Sequence, residues 1–346
     1  MTSQAALSSS PIPAPLPRGA DAPLDRCLGL AASRRTQVPA RFSAVLHMAR
    51  PAVVWLVIDD EATTPSPSDC ALAAALEQRC AAVRRVSWQS ASAWGSDVPR
   101  CDAAIIRSSR NRRRHADAYR DWLDLCSALD VPLFNSATLV RDALDERHLA
   151  ALPGLGARTV RLERADAVEI ALAMDERGWR QAVLKPLRAA EGHDGALGER
   201  HRLIETLRPA AEAGPVLLQD VCPEIADGAW SLVLVEGRYV HTVLTEPGFS
   251  ARGAGRRPSA RVRADAPTRA MIADAAALVA ALPERPLYAR VDGVMRANRL
   301  VALGLELNAP ELFLDHDAGG AARALAAGIL DRIRRRADPA WGEVRS

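Results

Sequence analysis

Two short stretches in the last third of the chain hold residue types that can handle phosphate and metal. Arg290-Val291-Asp292 alternates as a strand does, and Glu306-Leu307-Asn308 begins fourteen residues after Asp292, on what reads as its antiparallel partner. Side chains two apart on a strand share a face, so Arg290 goes with Asp292 and Glu306 with Asn308. If the hairpin pairs these strand ends, three oxygen donors and one guanidinium converge. Hard oxygen donors suit Mg²⁺, which is usually held by one or two carboxylates while substrate phosphates supply further ligands. An arginine beside them can stabilise a phosphoryl group in transfer. The alternative is a set of surface charges on a wet sheet face. Val291, Val294, Leu305 and Leu307 argue against it by giving the same hairpin a buried face.

Lys185 is the only lysine in the chain; every other cation is an arginine. A lysine that survives such a bias marks a place where a compact ammonium on a slim stem matters. It ends the apolar strand Val183-Leu184-Lys185-Pro186 and precedes Ala189-Ala190-Glu191-Gly192-His193-Asp194-Gly195. Backbone N–H groups of such a loop can cradle phosphate oxygens while the lysine supplies point charge. Taken alone, the same stretch is also an ordinary strand end and turn. Val216-Leu217-Leu218-Gln219-Asp220-Val221-Cys222-Pro223-Glu224 is an apolar strand running into a polar linker, whose amides and carbonyls could read a base edge.

The elements that must position these residues fall into two rhythms. Strands at 52–58, 82–88, 103–107 and 131–135 alternate with helices at 70–79 and 115–129, the pattern of a small doubly wound α/β domain. No GxGxxG follows the first strand, so a dinucleotide fingerprint is lacking. From 137 the order is α+β. Helices are expected at 137–152, 167–177, 202–213, 267–282 and 321–335. Strands are expected at 157–162, 182–187 and 216–221, and in hairpins 230–236 with 238–244 and 288–295 with 299–307, turning at Glu236-Gly237 and Arg296-Ala297-Asn298. The domains are therefore expected at 50–136 and 137–338, with a tail at 339–346.

Composition bounds the rest. The 346 residues are 49% hydrophobic and 25% charged, enough for two or three cored domains. The net charge of +3 carries no bias toward nucleic acid or anionic lipid. The six cysteines form no CxxC pair, which suits a reducing cytoplasm. No apolar run approaches membrane-spanning length. Residues 1–49, rich in proline and serine early on, are expected to be a disordered extension, with Met48 as an alternative start.

In order, these stretches resemble the ATP-grasp superfamily, over roughly residues 51–335. Gly228-Ala229-Trp230-Ser231-Leu232-Val233, Tyr288-Ala289-Arg290-Val291-Asp292-Gly293-Val294 and Pro310-Glu311-Leu312-Phe313-Leu314 look closest to its glutathione-synthetase-like branch, and within it to the group of the cycloserine-biosynthesis cyclo-ligase. The resemblance implies a Rossmann-like pre-ATP-grasp domain, followed by a fold that holds nucleotide between two α+β subdomains. It also implies an ATP-dependent carboxylate–amine ligase that forms an acyl phosphate from a small amino-acid-like acid. Carried over, Lys185 contacts the α- and β-phosphates, Gln219, Asp220, Val221 and Cys222 line the adenine, and Glu224 or Asp227 lies near the ribose. The loop supplies Glu191 and Gly192. Asp292, Glu306 and Asn308 hold Mg²⁺, or Mn²⁺ in its place, and Arg290 contacts the γ-phosphoryl oxygens. The implied partners are small carboxylate and amine substrates, with a homodimer left open.

Departures from the pattern are specific. Arg147, in Asp145-Glu146-Arg147-His148, stands where the family has a phosphate-binding lysine. Ala229, Thr245, Gly304 and Ala309 stand where the subgroup carries glutamate or lysine. They keep open a second reading, a degenerate protein that binds nucleotide without turnover and serves as scaffold or regulator. A kinase forming a stable phosphate ester is a third. Arg252, Arg256 and Arg257 are candidates for gripping a substrate carboxylate or phosphate, or simply form a solvated loop.

Overall fold

The run VVWLVI is apolar at every position because both faces of the strand it forms, β1 (Val53–Ile58), are covered. In this computed structural model, β1 pairs in parallel with β2 (Ala82–Ser87) and β3 (Ala103–Ile106), giving the order β2-β1-β3. Alternate residues of β1 serve opposite faces. Val54 and Leu56 pack on α1 (Pro67–Glu77), while Val53, Trp55 and Val57 pack on α2 (Ala116–Ala128) through Tyr119, Trp122 and Leu123. Helix α1 starts three residues earlier than expected, because the Ser66 hydroxyl accepts the Asp69 N–H and Pro67 fits the first turn.

The described residues are 50–62, 64–93, 98–144, 156–163, 166–186, 196–207, 215–245, 262–264 and 266–338. All lie in the compact unit Arg50–Ser346. The N-terminal extension, Arg147, Glu191, Gly192 and the arginines at 252–257 fall outside them. No helix among the described residues is long and apolar enough to cross a membrane.

The expected strand at 131–135 is replaced by a clamp. Only Leu133 bridges, in parallel, to Ala104. Asn135, fully buried, spends its amide on long-range partners: Nδ2 donates to the carbonyls of Tyr288 (3.0 Å) and Leu307 (2.9 Å), and Oδ1 accepts from Leu287 N (2.7 Å). A buried amide must be satisfied, and here satisfying it ties the segment after β3 to the two strands that carry Arg290 and Glu306.

After α3 (Ala137–Leu144) come β4 (Thr159–Leu162), α4 (Ala167–Arg177), β5 (Gln181–Pro186), β6 (Ala196–Glu199), α5 (Arg200–Leu207) and β7 (Val216–Asp220). These strands form an antiparallel sheet of order β4-β7-β5-β6. Ala182, Leu184, Val216 and Leu218 on one face pack against Ile170 and Met174 of α4 and Leu203 of α5. The short β6 was not expected.

The third sheet has the order β10-β9-β8-β11-β12 and is antiparallel throughout. It is built from β8 (Ala229–Val235), β9 (Arg238–Thr245), β10 (Val262–Ala264), β11 (Tyr288–Arg296) and β12 (Arg299–Glu306). Glu236 and Gly237, at φ 52° and 72°, make one hairpin turn, and Ala297 and Asn298, at 49° and 63°, make the other. Two successive left-handed residues match the strand twist of a two-residue hairpin. Leu232, Leu234, Ala289 and Val291 cover α6 (Arg269–Ala280). Val233, Val235 and Tyr288 face the opposite side, where α7 (Gly320–Ala337) contributes Leu325 and Ile329 to a cluster shared with α1.

Candidate active site

The β11–β12 hairpin pairs the strand ends that carry Arg290, Asp292 and Glu306; Asn308 lies beyond the ladder. Arg290 pairs directly with Glu306, and Asp292 with Gly304. Directly paired residues share a face, so Arg290, Asp292 and Glu306 stand together, opposite the face that Val291 and Leu305 bury on α6. On the other flank Asp292 pairs with Ser231 of β8. The Ser231 hydroxyl donates to Asp292 Oδ1 at 2.6 Å.

Arg290 is rigidly held. Its Nε donates to Asp292 Oδ1 (2.9 Å) and its Nη2 to Oδ2 (2.7 Å), while Nη1 donates to the Glu311 carbonyl (3.0 Å). The guanidinium also lies over the Phe313 ring. Burial opposes its charge, but the Asp292 and Glu306 carboxylates outweigh that and hold its pKa above the ordinary arginine value. A forked cation fixed this way presents its charge without reorganising.

Asn308 follows β12 and is buried. Its Oδ1 accepts the hydroxyl of Tyr119 at 2.8 Å, and its Nδ2 is buried with no hydrogen-bond partner. Arg107 makes a second link from the three-stranded sheet: Nη1 donates to the Pro310 carbonyl (3.2 Å) and Nε to Asp69 Oδ1 (2.7 Å).

The four-stranded sheet meets this hairpin at a β-bulge. The β11–β12 register slips between Asp292 and Gly293, so that Gly293 pairs with Ala302 and Leu303 has no partner across the ladder. A bulged residue is left out of the ladder, and here Lys185 and Gln219 use it. Lys185 Nζ donates to the Leu303 carbonyl at 2.9 Å, and Gln219 Nε2 donates to it at 3.4 Å and to Thr159 Oγ1 at 2.9 Å. Pairings of Lys185 with Leu217, Val183 with Gln219 and Gln219 with Thr159 put all three polar side chains on the face turned from α4 and α5. Gly156 also bridges Ala302, making a seam between the sheets at residues 302–303.

The other expected nucleotide residues follow β7. Asp220 is ion-paired with Arg158. Val221 is half-buried and Asp227 exposed. Cys222 is buried, and burial pushes its thiol pKa up. Glu224 is bidentate with Arg296, whose hydrogen bonds draw its pKa down. Among the described residues no group of three or more histidine, cysteine or carboxylate side chains is arranged to hold a metal. An oxygen site here therefore depends on Asn308 joining Asp292 and Glu306. Four features escaped the sequence: the Leu303 bulge, Ser231 as a partner of Asp292, Tyr119 and Arg107. Only Ser231 had a signal, since it sits at the right parity on β8.

Residues 53–135 match the family described as the N-terminal domain of D-cycloserine synthetase DcsG. No curated protein sequence matches the chain. The crystal structure of D-cycloserine synthetase DcsG superposes with a TM-score of 0.68 at 22% identity, covering 82% of this chain and 100% of that one. A RimK-domain ATP-grasp protein from Sphaerobacter thermophilus gives 0.59 at 19%, covering 81% and 99%. D-alanine–D-alanine ligase from Bacillus anthracis, solved with ATP, gives 0.60 at 12%, covering 84% and 100%. The chain thus has the ATP-grasp fold, and residues 53–135 are similar to the N-terminal domain of D-cycloserine synthetase.

Proposed function

We propose that this protein is an ATP-dependent carboxylate–amine ligase. The observation that carries the proposal is the Arg290–Asp292–Glu306 cluster on paired strands, next to the bulge that Lys185 and Gln219 address from the other sheet. The γ-phosphoryl group passes to a substrate carboxylate oxygen, leaving ADP. The amine nitrogen then attacks the acyl carbon and expels phosphate to form the amide. No protein nucleophile is needed, only positioning and electrostatic stabilisation.

In this reading residues 50–136 precede the nucleotide-binding part at 137–338. Lys185, Arg147, Glu191 and Gly192 serve the phosphates, Gln219 to Cys222 the adenine, and Glu224 or Asp227 the ribose. Asp292, Glu306 and Asn308 hold Mg²⁺, which neutralises phosphate charge. The donor chemistry fits. Two carboxylates and one amide are hard ligands, and Asn308 retains an unpartnered buried end. Because the Tyr119 hydroxyl can accept as well as donate, the amide can turn its oxygen over and keep that hydrogen bond. Arg290 supplies the fixed positive charge for the group in transfer.

The test is ADP release from Mg²⁺-ATP across amino acids and dipeptides, with hydroxylamine to trap the acyl phosphate. Asp292→Asn and Glu306→Gln should abolish release while leaving the fold intact; undiminished turnover in both would overturn the assignment. Both Asp292 oxygens are already engaged by Arg290 and Ser231, which favours one second reading, nucleotide binding without turnover. Tight ATP binding with no ADP from any substrate would support it.

A further inference from the structure

Strand β8 reads AWSLVLV, and Ser231 is its one hydroxyl. Alternation turns Trp230, Leu232 and Leu234 toward α6 and leaves Ser231, Val233 and Val235 on the opposite face. Across the ladders Ser231 has Asp292 of β11 on one side and Val243 of β9 on the other. Ser231 and Val243 are both buried. A hydroxyl in such a place costs free energy unless it is hydrogen-bonded, and a β-branched or small apolar residue would suit the strand better. Among the described residues the Ser231 hydroxyl has one partner, Asp292 Oδ1 at 2.6 Å. The serine is therefore explained by Asp292 and not by the packing around it.

Asp292 does not need this bond to be held. The Arg290 fork already fixes it, with Nε 2.9 Å from Oδ1 and 3.1 Å from Oδ2, and Nη2 2.7 Å from Oδ2. Arg290 is pinned in turn by the Glu311 carbonyl and the Phe313 ring. What the serine changes is the number of acceptor sites left over. An ionised carboxylate offers about four, two on each oxygen. The fork takes one on each oxygen, and Ser231 takes the second on Oδ1. One remains, on Oδ2, and the Asp292 side chain is still 24% exposed, so that site is not sealed. The count decides between cations. Ca²⁺ takes roughly six to eight oxygens in flexible geometry and accepts a carboxylate by both of its oxygens. Mg²⁺ is smaller and demands a near-octahedral shell, into which the narrow bite of a two-oxygen carboxylate fits poorly.

We propose that Ser231 determines the metal specificity of the site: its hydroxyl occupies Asp292 Oδ1, confines Asp292 to binding through Oδ2 alone, and so favours Mg²⁺ over Ca²⁺. Ser231 acts through Asp292, as a positioning residue. The inference deepens the ligase reading and rests on its assignment of Asp292 to the metal.

The test is calorimetry of a non-hydrolysable ATP analogue on the full chain, in saturating Mg²⁺ and then in saturating Ca²⁺. The analogue's own affinity for each ion is the same with every variant, so it cancels when ratios of dissociation constants are compared. The parent should bind more tightly with Mg²⁺. Groups that orient a metal ligand are typically worth about ten- to a hundredfold in metal affinity, so Ser231→Ala should cut the preference for Mg²⁺ by about tenfold. Ser231→Thr keeps the hydroxyl and should restore it; if the added methyl prevents folding, Ser231→Ala decides alone. Melting temperatures identify a packing effect, since a merely structural serine would lower stability and leave the ratio of the two ions unmoved. An unmoved ratio in Ser231→Ala, or no preference for Mg²⁺ in the parent, overturns the inference. If Asp292→Asn then loses the metal-dependent affinity, the metal assignment of the ligase reading still stands. Metal-dependent affinity that survives Asp292→Asn overturns both.

Discussion

The Tyr119 hydroxyl donates to Asn308 Oδ1 at 2.8 Å, joining a helix of the parallel sheet to the end of the strand that carries Glu306. Both residues are buried, and burial pushes the Tyr119 pKa up, so the phenol stays a neutral donor. Tyr119→Phe would strand the amide oxygen. Leaving a buried acceptor unsatisfied costs about 1–3 kcal/mol, so urea denaturation should show a loss of that size. If Asn308 serves the metal, half-saturating Mg²⁺ for ADP release should also rise, whereas an unchanged Mg²⁺ requirement would make Tyr119 purely structural.

Lys185 reaches a carbonyl that only the bulge makes available. A planar guanidinium is wider and directs its donors differently from an ammonium. Lys185→Arg should therefore weaken ATP binding by about tenfold or more, near 1.4 kcal/mol, as measured with a fluorescent nucleotide. Parental affinity would show that the lone lysine has no special standing.

How far these relationships could be read in advance depended on sequence distance. Arg290, Asp292 and Glu306 were legible because period-two alternation and a three-residue turn at 296–298 give them one parity. The turn has two residues, which alone would set Leu305 opposite Arg290, and the Leu303 bulge restores Glu306 to that place. Lys185 stood out by rarity. The links that lock the sheets together were not legible: Tyr119 and Asn308 are 189 residues apart and Arg107 and Pro310 are 203 apart, and no local pattern encodes such a pairing. Asn135 shows the same limit. VPLFN has strand composition, yet its amide bonds to Tyr288, Leu307 and Leu287 decide its conformation. Strands β6 and β10 have four and three residues, too few for periodicity to register.

Gly293 sits at the bulge because nothing larger fits. A Cβ there would lie 2.6 Å from the Val301 carbonyl oxygen and 2.7 Å from Leu300 Cδ1. Gly293→Ala must push β12 backbone aside, an overpacking cost of about 1–3 kcal/mol, and the Leu303 carbonyl would move with it. Gly304 is the control. It pairs with Asp292, but its Cβ would meet open space, so Gly304→Ala should leave stability nearly unchanged. Equal melting temperatures for the two variants would refute this account of the bulge.

His241 of β9 predicts the pH dependence of the fold. It is buried, with Nε2 2.8 Å from the Leu312 carbonyl, and since a carbonyl can only accept, Nε2 carries the hydrogen. Burial lowers its pKa, outweighing the hydrogen bond to Leu312 and the attraction of Asp317. The unfolded chain therefore takes up this proton at a higher pH than the folded one. The resulting stability is complete above the unfolded value of about 6.5 and falls as pH drops from there toward the depressed folded value. Carboxylates elsewhere also titrate on acidification, so the test compares melting temperatures of the parent and His241→Gln between about pH 7.5 and 5. The variant should be less stable at the upper end, having lost a packed ring. The gap should narrow on acidification, because only the parent carries the histidine proton linkage; a constant gap would assign that sensitivity to other groups.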